Sequence, residues 1–582
     1  MRHPVRALIV GALVVGLAAT GCDKNTGSTG TGNEPEKAQS AIIVDYKGET
    51  QTPAAPVEGA TPGGKLTIMQ EGDFEHLSPQ QIYVSNALSY SLLFHRQLTG
   101  YIEDAKGGPL KLVGDLATNA GETTDEGKTW KYTLRDGVKF EDGTPITSKD
   151  VAYGIAISFS TYGVQGPQYL QSALDPQRAY KGPFDSKGAE IPGVTTPDDK
   201  TIVFTFDRPH AELPYLVSYP TATPIQESKF NKEKYETSFQ STGPYKIKEY
   251  KRDAFLDLEK NPNWDPKSDP IRNQYVDTVH FEFTVDGESE TNRLIASQGD
   301  DAAAIMTGNV VPQKIAEVKA DPEIMKRTLS AATPFVRYLY INTQRVTDVS
   351  VRQALNYAFD RDAYIKAIGG YDVAEPASTT LAPVVPGYKK FDEYPGANGG
   401  SNGDVEKAKS LLAGKTVPKL KFCFGNTPVN QTVMAVVQTG LARAGFTFSS
   451  APIDPAAFYT TVGDKTTDCD LISGGWAQDF PDGDATLGVL FDGTKIVDKG
   501  NNNLGYFNDP AITAKIGELR TLADRSAAAN QYGDLDQQIM KAAPVIPLRY
   551  DRFFAIHGSK VGGTFASPLW AHFNITGIYV KS

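Results

Sequence analysis

The chain has 582 residues, 40% of them hydrophobic and 22% charged, with a formal net charge of −11 at pH 7. That length allows two or three domains with sizeable cores, and the acidic balance argues against nucleic acid as a partner. The seven histidines are scattered, and no two fall at the three- or four-residue spacing of a helical metal pair, so no metal site is read.

The chain opens with Arg2 and Arg6, an apolar run from Ala7 to Ala19, and small Thr20 and Gly21 before Cys22. Residues 1–21 read as a secretory signal, too short and wrongly flanked for a membrane span. Small residues before a cysteine resemble a bacterial lipobox, with Ala19 where leucine is usual; the resemblance implies that Cys22 carries a lipid. Residues 22–62, rich in Gly, Ser, Thr, Pro and Glu, read as a flexible tether. No later stretch is apolar for long enough to span a bilayer.

The body starts at "GGKLTI", where Lys65 to Met69 alternates like a strand. In "TWKYTLRDGVKFEDGTPITSKDV" Trp130, Tyr132 and Leu134 alternate with polar residues as a half-buried strand. Asp136-Gly137 and Asp142-Gly143 mark turns, and Thr147 with Asp150 forms a capping box ahead of a helix. A strand pair follows between Thr242 and Trp264. "FVRYLYINTQ" alternates again and leads into a helix that Asp348 can cap and Gly369 can end. From residue 418 the pattern is βαβαβ: "KLKFCF", a helix opened by Pro428, "FTFSSAPI", a short helix at Pro455, and "CDLISGGW".

The last of these strands runs into "GGWAQDFPDGD", with carboxylates at Asp479, Asp482 and Asp484. In sheets of parallel strands, ligands bind just beyond the carboxyl ends. The acids do not follow the one-three-five spacing of an EF-hand. A pair of catalytic acids is neither supported nor excluded by spacing. "PDGD" around Asp482 and Asp484 is also ordinary solvated turn chemistry. Asp479, beside Trp476 at the strand end, suits an ammonium group by ion pairing and by attraction to the ring face. "GGSNG" at 399–403 fits a nucleophile pattern but has no strand before it, and "AGKT" lacks the first glycine of a P-loop. No catalytic constellation emerges. Cys423 and Cys469 are permitted a disulfide outside the cytoplasm, yet parallel strands in register would hold their sulfurs apart; the pairing stays open.

Together "GGKLTI…EGD", "TWKYTLRDGVKFEDGTPITSKDV", "STGPYKIKEY…LEKNPNW", "YINTQ…VRQALNYAFDRD", "GGWAQDFPD", "NNLGYFNDP" and "APVIPL" resemble the family 5 extracytoplasmic solute-binding proteins of ABC importers, the group with the oligopeptide and dipeptide binders. The resemblance runs from about Gly63 to the end. It implies an α/β, periplasmic-binding-protein-like fold (type II, cluster C) of two lobes joined by a hinge. Lobe I would be 63–334, with an extra subdomain inserted at about 101–229. Lobe II would be 335–545, and 546–582 would return to lobe I, with hinge crossings near Thr333–Tyr338 and Val545–Leu548.

The resemblance further implies a binding protein rather than an enzyme, with no cofactor and no metal, working as a monomer outside the cytoplasm. Its partners would be a peptide or other small solute, the permease subunits, and the membrane through the lipid anchor. In peptide-binding members an Asp three residues after a Trp meets the ligand's free α-amino group, which makes Trp476 and Asp479 the matching pair. Gly475 would contact the ligand backbone, and Tyr83, Ser85, Phe335 and Tyr338 would line the site. Some peptide binders carry an Arg shortly before the Trp for the ligand carboxylate; here Ser473 stands there, which leaves the ligand's other end open. An oligosaccharide, a nickel chelate or another solute is the alternative ligand, and a secreted hydrolase the remote alternative function.

Overall fold

The computed structural model describes residues 42–582. The signal, Cys22 and the first part of the expected tether lie outside the described residues. From Ile42 onward the expected tether is part of the body. Ile43–Val44 pairs in parallel with Lys111–Gly114, Ile42 and Ala54 are buried, and the Ala54 amide donates to the Asp269 carbonyl at 2.9 Å. The Ile42-Ile43-Val44 triplet supplies an apolar edge that the surrounding Gly, Thr and Pro conceal in a composition count.

The first lobe is built on a five-stranded sheet in the order Ala304–Met306, Lys65–Met69, Thr278–Glu282, Phe255–Lys260, Tyr245–Lys251. Lys65–Met69 is an interior strand, parallel to both neighbours; four of its five residues are buried, as a doubly covered strand requires. The inserted region pairs Thr129–Thr133 with Thr201–Thr205 and buries Trp130 and Tyr132. The helix Ser148–Ser158 opens as expected: the Thr147 amide and hydroxyl donate to the Asp150 carboxylate at 2.8 and 2.7 Å.

The second lobe carries a six-stranded sheet in the order Ala374–Pro376, Val545–Ile556, Thr328–Ile341, Leu471–Ala477, Leu420–Gly425, Phe448–Ile453. The last three strands are the expected βαβαβ set and are mutually parallel. The two long strands beside them are antiparallel, so the sheet is mixed. Both faces are covered: Val336, Tyr338 and Tyr340 belong to one core, Leu339 and Ile341 to the other.

Those two long strands also tie the lobes together. Thr328–Ala332 pairs with Arg552–Ile556 on the first-lobe side, and the ladder slips between Ala332 and Val336. At the slip the Thr333 hydroxyl donates to the Asp551 carbonyl at 2.7 Å. Val545 and Tyr550 sit in second-lobe cores, whereas Phe553 to Ile556 sit in the first. The return therefore comes between Tyr550 and Phe553, later than the crossing at Val545–Leu548 that the resemblance implied.

One other local expectation changes, and the cysteine pairing left open by the sequence is decided. The helix expected between Asp348 and Gly369 is two helices, Val349–Ala358 and Arg361–Ala367, because Asp360 turns out of the first and caps the second by accepting from the Ala363 amide. Cys423 and Cys469 form a disulfide with Cα atoms 5.9 Å apart. Cys469 lies just before the strand Leu471–Ala477, with a bend at Asp470 between them, and so is not held in the parallel register of that strand.

Candidate functional site

The strand Leu471–Ala477 runs beside Thr328–Ile341 with Gly475 opposite Arg337, Gly474 opposite Tyr338 and Trp476 opposite Val336. The two glycines permit this approach. A Cβ at Gly474 would lie 2.9 Å from the Tyr340 ring, and one at Gly475 would lie 2.7 Å from Arg337 Cδ and 2.9 Å from the Val336 carbonyl, distances that side chains do not adopt. Trp476 points to the other face, where its indole N–H donates to the Ala485 carbonyl at 2.8 Å.

Asp479 follows two residues past the strand end and reaches the first lobe. The Tyr83 hydroxyl donates to its Oδ2 at 3.1 Å, and Tyr169 donates to the same oxygen. The Tyr219 hydroxyl donates to the Asp479 carbonyl. Among the described residues no lysine, arginine or histidine pairs with Asp479, and no donor reaches Oδ1. Burial raises its carboxyl to about 7, with the Tyr169 and Tyr83 hydroxyls pulling the other way. Beside it, Gln478 is buried with both side-chain polar atoms lacking a partner among the described residues. Phe480 lies edge-on to Tyr169 at 5.5 Å and stacks on Tyr215 at 5.8 Å, so it packs into the first lobe's core.

The two neighbouring acids are not a solvated turn. Asp482 pairs with Arg525 at 3.1 Å through Nε, both side chains almost wholly buried. Asp484 pairs with Arg520 at 2.8 Å, and Arg520 also reaches Asp492 at 2.7 Å. Three carboxylates that look alike in sequence thus divide into two with arginine partners and one without.

Tyr338 does not join Asp479. It is fully buried in the second-lobe core, and its hydroxyl donates to the Thr380 carbonyl. Phe335 and Ser85 come together elsewhere, on the wall of a cavity of about 500 Å³ beside the interlobe strands, with Thr333, Arg337, Arg549 and Asp551. Strand alternation places Phe335 and Arg337 on one face and Tyr338 on the other. That parity is legible in "FVRYLYINTQ" and would have separated Phe335 from Tyr338 and drawn attention to Arg337. A second cavity, about 340 Å³, lies between Tyr83, Tyr169 and Arg208 of one lobe and Phe480, Asp484 and Lys495 of the other. Tyr169 and Tyr219 carry no local signal that marks them as partners of a residue in the opposite lobe.

Two lobes joined by paired strands, with a lone carboxylate reaching across a cleft, define a hinged solute-binding protein. The chain belongs to the bacterial extracellular solute-binding proteins, family 5, whose middle-region model matches residues 111–498; these serve ABC transporters. The solved structure of clavulanic acid biosynthesis oligopeptide binding protein 2 superposes with a TM-score of 0.84 at 28% identity, over 93% of this chain and 99% of that one. The probable D,D-dipeptide-binding periplasmic protein of Escherichia coli is 22% identical over 88% of this chain and 93% of its own length. A heme-binding protein A of Haemophilus influenzae is 26% identical over 81% of this chain and 85% of its own. These relatives are binding proteins rather than enzymes. Among the described residues no helix is long and apolar enough to cross a membrane.

Proposed function

We propose that the protein captures peptides with a free α-amino group outside the cytoplasm and delivers them to the permease of an ABC importer, as a monomer held to the membrane by a lipid on Cys22. The observation that carries the peptide reading is the state of Asp479: a half-buried carboxylate with one oxygen held by tyrosines, the other unengaged, and no cation supplied by the described residues. An ammonium group at Oδ1 would neutralise it with a charge-assisted hydrogen bond. The rings of Tyr83 and Tyr169 would flank that cation, and Gly475 and Trp476 would edge the ligand. Two relatives, one named for oligopeptide binding and one for probable D,D-dipeptide binding, support the same ligand class.

The test is titration of purified protein from about residue 42 onward with free-amine and N-acetylated peptide pools, read by calorimetry and by mass spectrometry of what is retained. Free-amine peptides alone should bind, and Asp479→Asn should weaken them by roughly 10–100-fold, the size of a hydrogen bond to a charged group. Equal binding of the acetylated pool would turn the reading toward a non-peptide solute.

A further inference from the structure

We propose that Arg337, held against Arg549 by their shared partner Asp551, is the subsite for the carboxylate at the far end of the ligand; this rests on the peptide reading of Asp479 and adds the ligand's other terminus and its length. Arg337 lies opposite Gly475 on one side and Arg549 on the other. One carboxylate is shared between the two guanidinium groups: Asp551 Oδ2 accepts from Arg337 Nε at 2.8 Å, and Oδ1 accepts from Arg549 Nε at 2.5 Å. Two positive charges thus meet one negative charge. Each arginine spends Nε on the aspartate. Among the described residues the Nη atoms of Arg337 meet no hydrogen-bond partner, so its outer edge is available for a planar anion.

The side chain is placed, not loose. Its stem crosses Gly475, where a Cβ would collide with Cδ at 2.7 Å. Its guanidinium lies 5.3 Å over the Phe335 ring. The group faces the cavity of about 500 Å³ that Ser85 and Thr333 also line. Tyr83 contacts Asp479, and Ser85, two residues on, borders the arginine cavity, so one short segment of the first lobe touches both ends. Arg337 therefore supplies what Ser473 lacks.

The spacing sets a size. Gly475, beneath Arg337, is four residues before Asp479, and four extended residues span at most about 13–14 Å. A ligand joining the two charges is a peptide of roughly two to four residues with both termini free.

Four versions of one di- to tetrapeptide pool separate the claims: unmodified, N-acetylated, C-amidated, and blocked at both ends. The wild-type protein should retain the unmodified pool and bind C-amides roughly 10–100-fold more weakly. Arg337→Gln should bind acids and amides alike while still rejecting N-acetyl peptides, with its melting temperature measured as a control. The wild-type comparison does not depend on any variant folding. C-amides bound as tightly as free acids by the wild type would overturn the Arg337 subsite and leave Asp479 standing. N-acetyl peptides bound as tightly as free amines would overturn Asp479 without touching Arg337. Retention of nothing from any pool would overturn both.

Discussion

The hydroxyl of Tyr83 donates to the carboxylate of Asp479 at 3.1 Å, although 396 residues separate them in the chain. The contact joins the two lobes at the one acid of "DFPDGD" that has no arginine. It places a titrating group at the closure interface, and its consequences can be measured.

Burial holds Asp479 at about 7 in the folded protein, against about 3.9 for an unfolded aspartate. The folded state therefore keeps this proton where the unfolded chain has lost it, and the contribution of this group to stability falls as pH rises from about 4 to 7, then levels off. Asp479→Asn removes that slope. Without ligand, the variant should melt higher than the wild type at pH 8 and gain less at pH 5, a difference on the order of 1–3 kcal/mol between the two pH values. Peptide binding should strengthen as pH rises through 7, because the ammonium group needs the ionised carboxylate.

Tyr83 and Tyr169 tie the lobes together through Asp479. Removing both hydroxyls (Tyr83→Phe with Tyr169→Phe) takes away two hydrogen bonds, each worth about 0.5–1.5 kcal/mol. The ligand-free protein should then open, read as a larger radius of gyration in solution scattering. An unchanged radius would show that the aromatic packing of Phe480 on Tyr169 and Tyr215 closes the lobes without them.

Asp482 should behave unlike Asp479. It is paired with Arg525 in a site from which water is excluded, so Asp482→Asn leaves a buried guanidinium unpaired and should cost about 3–5 kcal/mol by denaturant unfolding. The free-amine preference of whatever folds should be unchanged. Equal losses of binding from the Asp479 and Asp482 variants at matched stability would mean that the acids act together.

The disulfide between Cys423 and Cys469 closes a loop with a sequence separation of 46 between two buried cysteines. Replacing both by alanine should destabilise the second lobe by about 2–4 kcal/mol, with ligand preference retained. The loss should appear in wild-type protein on reduction and be absent from the double variant.

Much of the architecture was legible because it depends on near neighbours in the chain. Alternation in "TWKYTL" and "FVRYLYI", the Thr147–Asp150 capping box and the βαβαβ run from residue 418 each rest on residues within a few positions of one another. Where local reading went astray, a short-range competitor or a missing long-range partner explains it. Asp360 capped a second helix inside an apolar stripe that read as continuous. Ile42 to Val44 made an edge strand inside a stretch that read as tether. The family resemblance groups Tyr338 with Phe335, although the two-residue period sets them on opposite faces.

The sequence by itself determined the family, the two-lobed α/β class and the position of Asp479 just past the end of a strand, since family motifs and periodicity are properties of the chain alone. Only the tertiary structure decided which acids are neutralised. Asp482 and Asp484 meet Arg525 and Arg520, 43 and 36 residues away, while Asp479 meets tyrosines from the other lobe. It also decided that Arg337 and Arg549 share Asp551, because strand register brings together charges 214 residues apart. The energy of a charge depends on what surrounds it in space, and an isolated stretch of sequence does not contain those surroundings.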